Sequence, residues 1–216
     1  MARILVVDDE PDIVSVVGSI LQKSGHSIIG AASGEEALKK LENLKPDLIL
    51  LDVMMPRLDG WETLRLIREE ERLKSIPVAM LTVKPLTPEI IMGRDVGELV
   101  DYIQKPIKKE MLIRSVNTIL EHLLKIAEKK ALVSAELRDR ETAIMYEIAA
   151  RKERLHESMS STLKDLLKET DNPEEAEGIK DAIASQERAM ELFRSWREEL
   201  EGRLGEKKRG RNASKN

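Results

Sequence analysis

Four short apolar runs mark the first half of the chain, and amphipathic stretches of helix length separate them. The runs cover residues 4–7, 48–51, 78–81 and 100–103 and are rich in aliphatic side chains. Short aliphatic runs that alternate with amphipathic helices are typical of buried strands in a parallel sheet. The pattern therefore predicts an α/β fold with a doubly wound parallel sheet.

A polar side chain stands at or near the end of each predicted strand. Asp8 and Asp9 follow the first run, Asp52 the second and Thr82 the third, and Lys105 lies one residue beyond the end of the fourth. In doubly wound sheets, ligands bind beyond the carboxyl ends of the strands. We therefore expect three carboxylates, one hydroxyl and one ammonium at one edge of the sheet.

Three carboxylates in close proximity indicate a shared cation. Without one, their mutual repulsion would keep one of them protonated. Mg²⁺ prefers oxygen ligands and commonly binds one or two carboxylates together with phosphate oxygens. A carboxylate can also accept a phosphoryl group as an acyl phosphate, with a lysine neutralising the charge on the phosphoryl oxygens. The set predicts a site for Mg²⁺ and a phosphoryl group.

The order of these motifs resembles the receiver domain of two-component response regulators. The resemblance covers about residues 1–120 and implies a flavodoxin-like sheet of five parallel strands. It rests on the pair Asp8-Asp9, on Leu51-Asp52-Val53-Met54-Met55-Pro56 followed by Asp59-Gly60, on Thr82, and on Asp101-Tyr102-Ile103-Gln104-Lys105-Pro106.

The resemblance implies roles for the acidic residues. Asp52 is the residue expected to accept the phosphoryl group, and a histidine kinase is the expected donor. Mg²⁺ is the expected cofactor. Its direct ligands would be Asp9, Asp52 and the backbone carbonyl of Met54, with Asp8 acting largely through water.

The resemblance also implies roles for three residues beyond the acids. Thr82 would donate its hydroxyl to one phosphoryl oxygen, and Lys105 would pair with another. Tyr102 would be an aromatic switch that turns inward when Thr82 is engaged, and the bond before Pro106 would be cis. Taken singly, each site residue could be a turn, a cap, a loop charge or plain packing. Their joint order favours the functional interpretation.

The segment 83–104 departs from the family pattern. It is one residue longer than is common and carries Pro85 and Pro88. Thr87, followed by proline and an acid, predicts a short, shifted helix, and we do not expect a dimer to form on it. Val83 replaces the small residue usual at its position, which suggests narrower phosphoryl access and slower transfer or hydrolysis.

Beyond residue 106 the pattern becomes helical. Residues 107–172 contain neither proline nor glycine, and apolar residues recur at spacings of three and four. This predicts that the receiver's last helix continues as a long amphipathic rod. The polar register around Lys130, Ser134 and Glu141 suggests that the rod bends or is interrupted there.

A break is expected at residues 170–175, where a cap, a proline and acids stand in helix-start order. A second periodic segment follows, so we expect an antiparallel helical hairpin or coiled-coil extension. Two such hairpins would form a four-helix bundle, which predicts a homodimer. The predicted divisions are a receiver domain at 1–120, a hairpin for dimerisation and output at 121–202, and a disordered basic tail at 203–216.

His156 is the one residue of the helical half that could carry chemistry. The sequence Leu155-His156-Glu157 loosely resembles the phosphoacceptor helix of histidine-kinase dimerisation domains. With Leu155 on the apolar stripe, His156 is expected to face solvent, where it could serve as a second phosphoacceptor. The alternative, which we favour, is a surface histidine on a dimerisation helix.

Composition narrows the classes of function. The chain has 216 residues, a net charge of -4 and no cysteine, which excludes disulfides and thiolate metal sites. Residues 1–3 run directly into the first strand, and no apolar stretch approaches the ~20 residues that span a bilayer. We expect a soluble, cytoplasmic protein. Residues 121–216 hold 20 basic and 21 acidic side chains, so nucleic-acid binding is not expected.

Three functions remain after these considerations. The leading one is a response regulator in which phosphorylation of Asp52 changes the helical half and its contact with a protein partner. In the second, His156 exchanges phosphoryl groups with Asp52, and in the third the helical half binds DNA as a dimer. No separate catalytic domain is expected, so the chain would accept and lose a phosphoryl group without acting as an enzyme on other substrates.

Overall fold

The computed structural model describes residues 1–83, 87, 99–106, 108–137 and 139–213, with side chains as far as residue 203. The first half contains strands β1 (Arg3–Val7), β2 (Ser27–Ala31), β3 (Leu48–Leu51), β4 (Val78–Thr82) and β5 (Asp101–Gln104), and helices α1 (Pro11–Lys23), α2 (Gly34–Leu41) and α3 (Gly60–Glu69). Helices α4 (Lys109–Leu137), α5 (Arg140–Glu169) and α6 (Pro173–Ala213) follow. The chain divides into two compact units, Met1–Leu120 and Glu121–Asn216.

Five strands of the described residues form one parallel sheet in the order β2-β1-β3-β4-β5. This is the flavodoxin-like, doubly wound order, so the predicted fold is confirmed. All four residues of β3 are buried. Because successive side chains point to opposite faces, both faces of the sheet are covered there. The strand order reverses between β1 and β3, which places a crevice at their carboxyl ends.

The start of α3 lies directly against the end of β3. Asp59 caps the helix by accepting a hydrogen bond from the Glu62 N–H at 2.8 Å. A Cβ atom at Gly60 would lie only 2.1 Å from the Asp52 carbonyl oxygen. A side chain at Gly60 would therefore move either the helix or the strand end that carries Asp52.

The helical half is not one unbroken rod. Helix α4 ends at Leu137 and α5 begins at Arg140. The Asp139 carboxylate accepts hydrogen bonds from the Glu141 N–H at 3.0 Å and the Thr142 N–H at 3.3 Å. These bonds satisfy donors that an unbroken helix would satisfy itself, so the break needs neither glycine nor proline. The sequence left open whether the helix is continuous, and it indicated a bend or interruption in the polar register around Lys130, Ser134 and Glu141. The break falls within that register.

Helix α6 begins at Pro173, inside the expected break, and continues to Ala213. A disordered basic tail was predicted from residue 203. The described part of that segment is helical, so the prediction is corrected there. Residues 203–213 are rich in Arg, Lys, Leu and Glu, which are strong helix formers. The two glycines among them cost about 1 kcal/mol each relative to alanine, which weakens a helix without ending it.

Three helices share a core in the second unit. Tyr146 hydrogen-bonds to Glu201 and Lys164 pairs with Glu187, so α5 and α6 run antiparallel. Helix α4 contributes to the same core, whose buried members are Ile126, Val133, Ala143, Tyr146, Ala150 and Leu200. The predicted hairpin is thus joined by a third helix of the same chain. No helix of the described residues has the length and hydrophobicity needed to cross a bilayer.

Candidate functional site

Two buried carboxylates and a buried ammonium meet at the carboxyl ends of the strands. The Lys105 Nζ lies 2.6 Å from Asp8 Oδ2 and 3.1 Å from Asp52 Oδ1. The exposed fraction is 0% for Asp8, 3% for Asp52 and 9% for Lys105. The structure therefore brings together three of the predicted site residues, which follow three different strands.

Backbone N–H groups fix the orientation of both carboxylates. The Met54 N–H donates to Asp52 Oδ2 at 2.7 Å, and the Glu10 N–H donates to Asp8 Oδ1 at 3.1 Å. Each carboxylate thus has one oxygen held by the turn that follows its strand. The other oxygen of each points to the Lys105 ammonium.

Burial and pairing act against each other in this site. Burial raises the pKa of Asp8, and the hydrogen bond from Lys105 only partly offsets that effect. Burial alone would lower the pKa of Lys105, but its contacts with Asp8 and Asp52 outweigh burial and raise it. The lysine is therefore held in its charged form, as neutralisation of a phosphoryl oxygen requires.

The donor atoms fit the implied Mg²⁺. Asp52 Oδ1 is buried and accepts no hydrogen bond of regular geometry. Asp9 is partly exposed beside Asp8, and Met54 follows Asp52 on the surface. No three His, Cys, Asp or Glu side chains among the described residues form a metal site by themselves. Because Mg²⁺ commonly takes one or two carboxylates plus water and phosphate, this set suits Mg²⁺ rather than a fully enclosed metal.

Thr82 and Tyr102 lie on neighbouring strands at the same edge. Thr82 ends β4 and is fully buried, and its carbonyl accepts the Lys105 N–H at 2.8 Å. Tyr102 is buried on β5, where burial and then the Asp52 charge raise its pKa to about 12. Tyr102 is thus turned inward in this structure. The peptide bond between Lys105 and Pro106 is cis, as the resemblance implied.

Only part of the unusual segment after Thr82 lies among the described residues. Val83 is 59% exposed, and its side chain stands outside the core. Pro85, Pro88 and the short helix predicted to start at Thr87 lie outside the described residues, apart from Thr87 itself.

His156 is half-buried against α6 and does not face solvent freely, contrary to the prediction. Its Nδ1 atom lies 2.7 Å from Gln186 Oε1 on α6, and its ring stacks on Phe193 at 5.5 Å between centroids. Burial lowers the pKa of His156. The neighbouring Leu155 is buried as expected, but α6 covers the flank beside it. The expectation of an accessible imidazole is therefore corrected.

Asp101 is a neighbour of the site for which the sequence predicts no role. It is buried, and its Oδ1 accepts the Tyr102 N–H at 2.8 Å. Aspartate is disfavoured in strands, so its position at the start of a buried strand was the available signal. Asp101 fixes the backbone on which Tyr102 stands.

The chain belongs to the response regulator receiver domain family, whose model matches residues 4–117. Comparison with individual proteins points the same way. The alkaline phosphatase synthesis transcriptional regulatory protein PhoP of Bacillus subtilis is 41% identical over 139 residues, which are 64% of this chain and 55% of PhoP. Protein PilH of Pseudomonas aeruginosa is 33% identical over 120 residues, which are 56% of this chain and 98% of PilH.

A solved structure extends the likeness to the backbone. The chemotaxis protein CheY4 of Vibrio cholerae is 33% identical, with a TM-score of 0.51, and the match covers 55% of this chain and 98% of CheY4. The chain therefore covers nearly all of the small proteins PilH and CheY4 but little more than half of PhoP.

Proposed function

We propose that this chain is a response regulator that is phosphorylated on Asp52 by a histidine kinase. The single observation that carries this proposal is the buried Lys105 ammonium between the carboxylates of Asp8 and Asp52. Family membership supplies the class of reaction. The geometry supplies a nucleophile, a charge to stabilise the transferred group, and a dry environment.

The kinase supplies the phosphoryl group and this site supplies the acceptor. An Asp52 oxygen forms a bond to phosphorus while the phosphorus–nitrogen bond of the donor phosphohistidine breaks. The donor imidazole leaves with that electron pair and takes up a proton from water. The Met54 N–H keeps the Asp52 carboxylate in one orientation, so little conformational freedom is lost on reaction. Lys105 and the Thr82 hydroxyl would then each hold a phosphoryl oxygen.

A bound Mg²⁺ would neutralise charge on the phosphoryl oxygens, as is general for phosphoryl transfer. Asp9, Asp52 and the Met54 carbonyl are the proposed direct ligands, with Asp8 acting through water. Asp52 Oδ1 supports this assignment, because its contact with the Lys105 ammonium at 3.1 Å is not a hydrogen bond of regular geometry. Water would later hydrolyse the acyl phosphate, so the chain would act on its own phosphoryl group and on no other substrate.

The output would pass through α4. This helix begins four residues after Lys105 and continues past residue 120 into the second unit. Engagement of Thr82 by the phosphoryl group, with Tyr102 inward, would change the start of α4 and so the packing of α5 and α6. We propose that these helices form a homodimer and contact a protein partner.

Charge favours a protein partner over DNA. In the second unit the charged side chains pair with one another; for example, Glu153 accepts from both Arg194 and Arg197. Phosphate contacts require a basic face, and here opposite signs interleave. PhoP is named as a transcriptional regulator. If this chain bound DNA, the proposal of a protein partner would be replaced by DNA.

A small acyl phosphate tests the proposed acceptor. The full chain is incubated with acetyl phosphate and Mg²⁺, and protein-bound phosphate is assayed for stability in acid and base. We expect base-labile phosphate on the wild-type chain and none on Asp52→Asn. Asp12→Asn, an exposed aspartate in the first turn of α1, is the matched control and should be labelled normally.

Two results would contradict the proposal. One is labelling of Asp52→Asn to the wild-type level. The other is acid-labile, base-stable phosphate, which is characteristic of phosphohistidine and would direct attention to His156.

A further inference from the structure

The first residue of α3, Gly60, rests on the peptide group that joins Asp52 to Val53. A Cβ atom at Gly60 would lie 2.1 Å from the Asp52 carbonyl oxygen, 2.9 Å from its carbonyl carbon and 2.8 Å from the Val53 Cα. The Gly60 N–H also donates to the Val53 carbonyl at 3.0 Å. Because the atoms that a Cβ would meet belong to the backbone, they cannot rotate away as the end of a flexible side chain can.

The same peptide group lies between two parts of the site. On one side is the Asp52 carboxylate, whose Oδ1 is 3.1 Å from the Lys105 ammonium. On the other side is Met54, whose N–H donates to Asp52 Oδ2 at 2.7 Å and whose carbonyl is a proposed Mg²⁺ ligand. A displacement of this peptide would therefore shift both the nucleophile and the carbonyl that would bind the metal.

Helix α3 is anchored at its start and along its inner face. The Asp59 carboxylate accepts the Glu62 N–H at 2.8 Å. The Asp59 carbonyl accepts the Thr63 N–H at 2.9 Å and the Thr63 hydroxyl at 2.8 Å. The residues that bury the inner face are Thr63, Leu64 and Ile67. A helix held by its cap and by close packing resists displacement.

The peptide group under Gly60 is held less firmly than the helix. The last residue of β3 that pairs with neighbouring strands is Leu51, so the carbonyl of Asp52 lies beyond the paired part of the strand. A Cβ atom at Gly60 would therefore displace the peptide after Asp52 rather than α3. Glycine is the residue that permits such a close approach of two backbone segments.

We propose that Gly60 is a positioning residue for phosphoryl transfer. Its missing side chain allows the peptide after Asp52 to take the position that aims the carboxylate at the phosphoryl donor. Gly60 itself touches no reacting atom. The inference rests on the proposed phosphorylation of Asp52, and it adds the start of α3 to the structure that supports the acceptor.

Gly60→Ala tests this role in the full chain. At saturating Mg²⁺ and a fixed concentration of acetyl phosphate, we expect the rate constant for labelling of the folded chain to fall at least ~10-fold, since a misplacement of about 1 Å can cost ~100-fold. We also expect weaker binding of Mg²⁺ alone, measured by calorimetry without a phosphoryl donor, because the Met54 carbonyl would move with the peptide. Urea unfolding followed by circular dichroism gives the folded fraction.

Gly30→Ala is the matched control. Its Cβ atom would also meet a close neighbour, Val14 Cγ1 at 2.6 Å. Gly30 lies on β2, however, and none of the proposed site residues follows that strand. This variant should lose stability but keep the wild-type labelling rate and Mg²⁺ affinity in its folded fraction. A merely structural role for Gly60 predicts the same behaviour for both variants.

Asp59→Ala provides a second test that adds no atom at Gly60. It removes the carboxylate that caps α3, so the Gly60 N–H would hold the Val53 carbonyl less firmly. The labelling rate should fall, though less than in Gly60→Ala. Asp139→Ala removes the corresponding cap of α5 in the second unit and should be labelled at the wild-type rate.

The outcomes separate this inference from the proposed function. A folded Gly60→Ala with the wild-type labelling rate and Mg²⁺ affinity would overturn the role of Gly60 and leave phosphorylation of Asp52 intact. If Gly60→Ala does not fold, an unchanged labelling rate for Asp59→Ala would overturn it instead. Absence of labelling on the wild-type chain would contradict the proposed function, and this inference would fall with it.

Discussion

At the scale of single residues, burial sets the charge energetics of the receiver site. Asp8 is fully buried, and burial raises its pKa in spite of the hydrogen bond from Lys105. When the pKa of a carboxyl is higher in the folded chain than in the unfolded chain, the folded chain loses stability as pH rises from the lower pKa to the higher one. The penalty is therefore absent in strong acid and grows as pH rises above the ordinary carboxyl range.

We predict that Asp8→Asn is more stable than the wild-type chain at pH 7, because the amide removes the cost of a buried charge. Urea unfolding of both proteins at pH 3.5 and pH 7 measures the difference, which should be larger at pH 7. Asp12→Asn, on an exposed position, should change stability little at either pH. A less stable Asp8→Asn at pH 7 would mean that the Lys105 pair outweighs desolvation.

The strand-end residues could be predicted from the sequence because a strand's end is a local property. Aliphatic runs indicate buried strands, and the parallel topology then brings Asp8, Asp52 and Lys105 to one edge of the sheet. The environment of His156 could not be predicted in this way. Gln186 and Phe193, thirty or more residues farther along the chain on another helix, cover the His156 ring. Helical periodicity predicts which face of a helix a residue lies on, but not which other helix packs against that face.

At the scale of elements, a cap interrupts a segment in which the sequence contains no helix breaker. Asp139 accepts from two backbone N–H groups at the start of α5. The sequence does contain a signal for a helix start here, since Asp139 is followed by Glu141 in the first turn, an arrangement typical of helix starts. The absence of proline and glycine from residues 107–172 favoured a continuous helix instead. The cap lets α5 fold back and share a core with α4.

We predict that Asp139→Ala destabilises the second unit by ~1 kcal/mol, the usual cost of losing an N-cap carboxylate. The chain has two tryptophans, Trp61 in the first unit and Trp196 beside the helical core. In a Trp61→Phe background, Trp196 fluorescence therefore follows the second unit alone during urea unfolding. Asp181→Ala, at an exposed position within α6, is the control and should leave the midpoint nearly unchanged. An unchanged midpoint for Asp139→Ala would show that the core alone sets the break.

At the scale of the whole molecule, the three-helix core leaves part of the α5 stripe uncovered. Ile144 and Ile148, one helical turn apart, are 40% and 43% exposed, and Leu124 on α4 is 60% exposed. Farther along the same stripe, Leu155 is fully buried. The apolar repeat that predicted a dimer is thus partly used within one chain, and its exposed part is the surface on which the proposed homodimer would form.

The exposed stripe gives the dimer proposal a sharp test, because a two-fold interface contains each residue twice. Burying an isoleucine contributes about 1.5–3 kcal/mol, so Ile148→Glu should raise the dimer dissociation constant more than ~100-fold. Light scattering across a concentration series measures this constant. Leu192→Glu, at a residue 66% exposed on α6, carries the same change of charge and should leave the dimer intact. A wild-type chain that stays monomeric, or equal dissociation by both variants, would instead mean that the stripe serves a different partner or none.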